Sequence, residues 1–202
     1  MEVESLVPIR VNKKGIRALG IAESFMKGRS KTSILAGVVM RADLVVDGVS
    51  LAEATVGGMD ATQKIAGLYN SMHRDDINLL LLNGCVVSWY NVIDLEQLAQ
   101  KVGLPIICLT YDESVGLEKY FEENFPKDWK ERVEVYHKNG PRKLLKLKNG
   151  NDVYARAMNV NDFDVLKVLN KFSLEGSVPE PLRVAQLVAR SLMKHLQSTQ
   201  EA

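Results

Sequence analysis

The sequence predicts an α/β protein, a mixed sheet with helices on both faces. Three observations predict it. "INLLLLNG" (Ile77–Gly84) is a continuous apolar run of strand length, the pattern of a strand buried on both faces and central in its sheet. "DLEQLAQKVG" (Asp94–Gly103) reads as a capped helix closed by glycine, and "LPIICLT" (Leu104–Thr110) as a second buried strand, so the three form a parallel βαβ unit. Ahead of them, apolar runs punctuated by glycine near 16–23, 34–41 and 44–56 have the length of strands that pair as a meander.

The other elements follow in order. In "MDATQKIAGLYNSMHR", Ile65, Leu68, Tyr69 and Met72 fall on one helical face, with Asp60 as N-cap and Gln63 completing a variant capping box; this helix is expected to end near residue 74. A helix over about 114–124 comes after the βαβ unit. "RKLLKLKNGNDVYARAMNV" holds two strand-like runs about Asn149-Gly150, a hairpin signal. Amphipathic helices over about 161–172 and 180–197 complete the chain, and the last four or five residues are expected to be disordered. No repeat or low-complexity tract divides the sequence, and residues 1–202 read as a single domain.

Composition narrows the partners. The 202 residues include 46% hydrophobic, enough for a sizeable core, and 26 basic against 25 acidic residues leave a net charge of +1. No global field attracts polyanions, so nucleic acid would be held by local patches. "MEVESLVPIR" opens with glutamates where a secretory signal has basic residues, and no apolar run is long enough to span a bilayer; a cytoplasmic protein without membrane contact is expected. Cys85 and Cys108 lie in apolar runs without CxxC spacing and read as buried thiols. His73, His137 and His195 have no zinc spacing, and phosphate-loop, dinucleotide and nucleophile-elbow motifs are absent.

What remains is a set of polar residues at strand ends and helix starts: Glu23 after Ala22, Asp60, Asn83 and Asp94. Ligand sites of open α/β sheets form outside the carboxyl ends of the strands, so these positions can converge. Carboxylates there would suit Mg²⁺. Against that, Asp60 and Asp94 precede helices as N-caps do, and Asn83-Gly84 fits a turn. Successive strand residues point to opposite faces, so Glu23 shares the face of Ala22 only if the strand bulges or has already ended.

"PEPLRVAQLVARSL" (Pro179–Leu192) resembles the C-terminal helix signature of endonuclease V and, more closely, of the archaeal endonuclease dU-like family. "RALGIAESF", "VGGMDATQKI" and "LLLLNGCVVSWYNVIDLEQLAQKVGLPIICL" stand in the order and spacing of that family, and the resemblance runs from about residue 15 to 195. It implies a ribonuclease H-like fold and Mg²⁺- or Mn²⁺-dependent cleavage of nucleic acid at a deaminated base. The family pattern has aspartates where this chain has Ala22 and Asn83, usually a second acid at Glu23, an acid matched by Asp60, a residue matched by Asp94, and commonly Asp or His where Gln186 stands. Two of the three expected metal-site carboxylates are missing, which implies an ion bound weakly or not at all. Asn83 offers an uncharged amide oxygen; preceding glycine, it is also prone to deamidation, which mass spectrometry of the native peptide would reveal as aspartate.

Two readings follow from the resemblance. In the favoured one the chain is a nucleic-acid-binding relative with a degenerate metal site. In the alternative it is an active endonuclease on deoxyuridine- or deoxyinosine-containing DNA, with Asp60 and Glu23 holding the ion and Asn83 and Asp94 in the site. DNA is expected ahead of RNA. Arg183 in the PEPLR helix, Tyr90 and Trp89 as stacking groups, and Lys31 and Lys143 within three basic clusters (Lys13, Lys14; Lys27, Arg29, Lys31; Arg142, Lys143, Lys146, Lys148) are the candidate nucleic-acid contacts. A third reading, an interaction protein with no nucleic-acid role, predicts no such binding.

Overall fold

A computed structural model describes Lys13 and residues 15–200. Lys14 of the first basic cluster lies outside the described residues. The meander forms as expected: β1 (Arg17–Ser24), β2 (Thr32–Arg41) and β3 (Val46–Thr55) pair antiparallel, with a register shift in the β2–β3 ladder between Val39 and Met40. After α1 (Ala61–Ser71), β4 (Leu79–Asn83) returns parallel to β1. The short hairpin β5 (Val86–Val87) and β6 (Asn91–Val92) precedes α2 (Leu95–Val102), and β7 (Ile106–Thr110) lies parallel to β4. Next come α3 (Glu118–Asn124), α4 (Trp129–Lys138), the hairpin β8 (Lys143–Lys146) and β9 (Asp152–Met158), then α5 (Asp162–Phe172) and α6 (Glu180–Gln200). The seven-stranded sheet has the order β3-β2-β1-β4-β7-β9-β8.

β4 is central because its four leucines satisfy both faces. Leu80 and Leu82 join the core beneath α1 and α2, while Leu79 and Leu81 join the core containing α5 and the start of α6. All four are buried. At ~1.5–3 kcal/mol for each fully buried leucine, this strand contributes on the order of 6–12 kcal/mol of transfer free energy. α6 lies directly on β1 because residue 20 has no side chain: a Cβ there would meet the backbone carbon of Pro181 at 2.5 Å.

Several boundaries differ from expectation. α1 stops at Ser71 instead of near 74, since His73 takes a left-handed φ of 48°. α3 begins at Glu118, after Gly116 at φ 113°. α4 was not anticipated: its buried residues are Arg132 and Tyr136, so an arginine occupies a position where an apolar periodicity would be sought. α6 continues to Gln200, into the stretch expected to be disordered, and Glu201 and Ala202 lie outside the described residues.

Candidate functional site

The parallel strands place the carboxyl ends of β1, β4 and β7 together. Along β1, Ala18, Gly20 and Ala22 face α5 and α6, and Leu19, Ile21 and Glu23 face the α1 side. Ile21 is in register with Leu82, which brings Ala22 next to Asn83 on the α6 face. Ala22 is 2% exposed and packs with Val38 and Ala185; Gln186, the neighbour of Ala185, is half-buried. Two residues that carry no charge therefore stand side by side at the central strand ends.

Glu23 does not reach that face. The β1–β2 ladder continues without a register shift from Ala22–Ala36 through Glu23–Leu35 to Ser24–Ile34, so the bulge needed to turn Glu23 toward α6 is absent. Its carboxylate is largely buried on the opposite side. Burial raises its pKa, partly countered by a hydrogen bond donated by the Ser88 backbone N–H, and Oε2 is buried without a hydrogen-bond partner.

Asp60 lies on that same side but does not cap α1 as expected. Its oxygens accept from Thr55 N (3.1 Å), Thr55 Oγ1 (2.8 Å) and Asn91 Nδ2 (2.7 Å). The α1 start is held by Asn91 instead: its Oδ1 accepts from Ala61 N at 3.0 Å, while Nδ2 also donates to Thr55 O. Burial opposes ionisation of Asp60, but the donors from Asn91 and Thr55 prevail and hold its pKa below the ordinary value. Asp94 does cap its helix, accepting from Gln97 N at 2.9 Å, and its other oxygen pairs with Lys138 Nζ at 2.9 Å.

The turn joining β5 to β6 is unusual. Ser88, Trp89 and Tyr90 have φ values of 48°, 60° and 63°, three successive left-handed residues, none of them glycine. Each costs on the order of 1–2 kcal/mol, so surrounding contacts must fix the turn. Arg132, 2% exposed, supplies them: it donates to Tyr90 O (2.7 Å), Gly57 O (2.8 Å) and Gly58 O (3.0 Å), pairs with Asp128 and lies over the Phe125 ring. Tyr90 is partly buried and packs among Tyr120, Phe121 and Phe125 at the margin of the core. Trp89 is half-exposed, with Lys27 Nζ 3.9 Å from its ring centroid.

A cleft of about 350 Å³ opens beside Asn83, lined also by Cys85, Thr110, Tyr111, Arg142 and Arg156. Arg142 donates to Thr110 Oγ1 and to the carbonyls of Asp112 and Ser114; Arg156 donates to Gly140 O and, at 3.1 Å, to Cys85 Sγ. Neither guanidinium has a carboxylate partner among the described residues. Both cysteines are free and buried, as expected. A hydrogen bond with Cys108 and the Arg156 cation pull the Cys85 pKa down to about 7, and Cys108 is pushed up in turn. The Tyr111 hydroxyl is buried without a hydrogen-bond partner. The sequence does not single out Arg156 or Tyr111: in "DVYARAM" Arg156 shares its face with Asp152 and Tyr154, opposite Val153, Ala155 and Ala157, so alternation reads it as outward.

The remaining candidate contacts separate. Arg183 is 60% exposed and bonds Glu180 within its own helix. Lys143 on the edge strand β8 pairs with Asp162 of α5, while Lys31 lies in the hairpin that follows the carboxyl end of β1.

Comparison with known proteins fits this geometry to a family. The profile described as Endonuclease dU matches residues 14–193. The chain belongs to that family. Among family relatives, a UPF0215 protein of Pyrobaculum calidifontis is 36% identical over 178 residues, covering 88% of this chain and 97% of the relative, and one of Methanosarcina mazei is 32% identical over 187 residues, covering 89% and 92%. A crystal structure of a protein of unknown function from Archaeoglobus fulgidus superposes with a TM-score of 0.76 at 21% identity, covering 88% of this chain and 98% of that one. Human endonuclease V gives 0.62 at 15% identity, covering 93% and 88%. Endonuclease V of Ciona intestinalis, solved with a DNA containing an inosine, gives 0.59 at 10% identity, covering 91% and 87%. These likenesses establish the ribonuclease H-like fold of this family member.

Proposed function

We propose that this member of the endonuclease dU family binds nucleic acid at the carboxyl ends of β1, β4 and β7 and cuts it weakly or not at all. The observation that carries the reading is the Ala22–Asn83 pair. A Mg²⁺ or Mn²⁺ ion prefers charged oxygen ligands in a near-octahedral arrangement. Here one position is a methyl group packed against Val38 and Ala185, and its neighbour is a neutral amide. Among the described residues no group of three or more His, Cys, Asp or Glu converges. The donors present do not fit a divalent ion at that pair, and no chemical step is assigned to one.

Binding is supported by the cleft beside Asn83. Arg142 and Arg156 form no ion pair with Asp112 and Glu113, the two acids that also line the cleft, and their guanidinium groups suit a phosphate or the polar edge of an extruded base. The endonuclease V of Ciona intestinalis with its inosine-containing DNA makes DNA with a deaminated base the first ligand to test.

A second reading keeps activity. Glu23 and Asp60 lie on the same side of the sheet and are linked through the turn after β5, whose Ser88 bonds Glu23 and whose following Asn91 bonds Asp60. Fluorescence anisotropy and denaturing gels with duplexes containing deoxyuridine or deoxyinosine separate the two. Salt-sensitive binding without nicks in Mg²⁺ or Mn²⁺ supports the proposal. Metal-dependent nicking that disappears in Asp60→Ala replaces it with the second reading, and absence of binding to DNA and RNA refutes both.

A further inference from the structure

Two basic elements outside the cleft meet along a groove. The hairpin between β1 and β2, residues 25–31, carries Lys27, Arg29 and Lys31 and no acid. α6 carries Arg183, Arg190, Lys194 and His195 against one acid, Glu180, at its start. Between them lies a groove of about 580 Å³, lined by Arg29, Lys31, Ile34, Met193, Leu196 and Gln197, with Glu53 as its one carboxylate. Lys27 is turned onto Trp89, but Arg29, Lys31, Arg190 and Lys194 form no ion pair among the described residues. Gln197 Nε2 is buried without a hydrogen-bond partner.

The helix carries this charge past the candidate site. Pro181 abuts Gly20, Ala185 packs on Ala22, and Ala189 and Met193 pack with Ile34 and Ala36, so α6 runs from β1 toward the hairpin. Arg183, Leu187, Arg190 and Lys194 are spaced four, three and four residues apart and all are exposed, forming one outer ridge. Eleven residues of helix span ~16 Å, the axial length over which one strand of B-form duplex presents about five phosphates.

We infer that this groove and ridge form a second nucleic-acid contact, a track for phosphodiester backbone that holds the strand irrespective of its bases. The inference rests on the nucleic-acid reading above. Apart from Arg183, which pairs with Glu180, the cations of this track form no ion pair among the described residues, and the exposed side chains of Arg29, Lys31, Arg190 and Lys194 can follow a polyanion. Leu196, 39% exposed, offers apolar surface to sugars and bases.

The test uses the full chain with single-stranded DNA and RNA of mixed sequence lacking deaminated bases, followed by anisotropy across a salt series. In Arg29→Ala/Lys31→Ala, the slope of log affinity against log salt should flatten by about 1.4, two contacts at ~0.7 each for single strands. Arg190→Ala/Lys194→Ala should flatten it comparably. These side chains are exposed, and a thermal melt verifies that each variant folds. Slopes unchanged from a wild type that binds would overturn the track and leave the cleft reading standing. A wild type that binds neither probe nor the deaminated duplexes would remove the parent reading, and the track with it.

Discussion

Replacing Ala22 and Asn83 together by aspartate asks whether this fold still holds a metal site with its charges removed. Ala22 is 2% exposed against Val38 and Ala185, so a carboxyl group there arrives without a hydrogen-bond partner and with extra volume. An unsatisfied buried polar group costs about 1–3 kcal/mol and overpacking adds ~1–3 kcal/mol. The double variant should therefore be less stable than wild type by roughly 2–6 kcal/mol without divalent ions. For a chain of this size about 2–4 °C of melting temperature accompanies each kcal/mol, giving a fall on the order of 4–24 °C. If the paired aspartates create an ion site, Mn²⁺ at ~100 times its Kd restores about 2.7 kcal/mol, or ~5–11 °C. Differential scanning calorimetry with and without Mn²⁺ measures both, and wild type should not respond. A variant no more responsive to Mn²⁺ than wild type would refute the claim that only two charges separate this site from a metal centre. A wild-type response of equal size would mean that Glu23 and Asp60, or other groups, already hold an ion.

Other consequences are equally direct. Arg132→Met removes the donor to Tyr90 O in the left-handed turn at 88–90 and to Gly57 O and Gly58 O in the loop beside it; a loss of about 3–5 kcal/mol is expected in denaturant titration, and a change below ~1 kcal/mol would show that these loops do not depend on it. Gly20→Ala sets a methyl group 2.5 Å from the Pro181 backbone, so α6 must shift; at least ~2 kcal/mol should be lost, and a stability equal to wild type would contradict the contact. Because the folded pKa of Cys85 is lowered to about 7 from an ordinary thiol value near 9, its ionisation favours the folded state above that ordinary value, and the gain disappears as pH falls through 7. Relative to Cys85→Ser, wild-type stability should rise between about pH 7 and 9, with thiolate absorbance titrating near 7. A midpoint at the ordinary thiol value would rule out the influence of Cys108 and Arg156.

Much of the architecture was legible because it rests on local pattern. The leucines of β4, the capped α2 and the Asn149-Gly150 hairpin each announce themselves within a few residues, since burial on two faces, an N-cap and a turn with positive φ restrict residue type locally. α4 escaped because its buried face is built on Arg132, whose satisfaction comes from carbonyls at residues 57, 58 and 90. The capping of α1 was assigned to Asp60 on sequence proximity; Asn91, 30 residues from Ala61, performs it.

The sequence by itself determined the meander, the βαβ unit, the Asn149-Gly150 hairpin and the last two helices, the family, and the presence of Ala22 and Asn83 where the family pattern has acids. Only the tertiary structure decided which face each side chain occupies. An unbroken β1–β2 register keeps Glu23 away from Ala22, because side chains alternate along a strand and no bulge resets them. It also decided that Arg142 and Arg156 share a cleft beside Asn83, while Arg29 and Lys31 meet the end of α6. Those groupings join residues far apart in sequence, and packing across the sheet, not local propensity, brings them together.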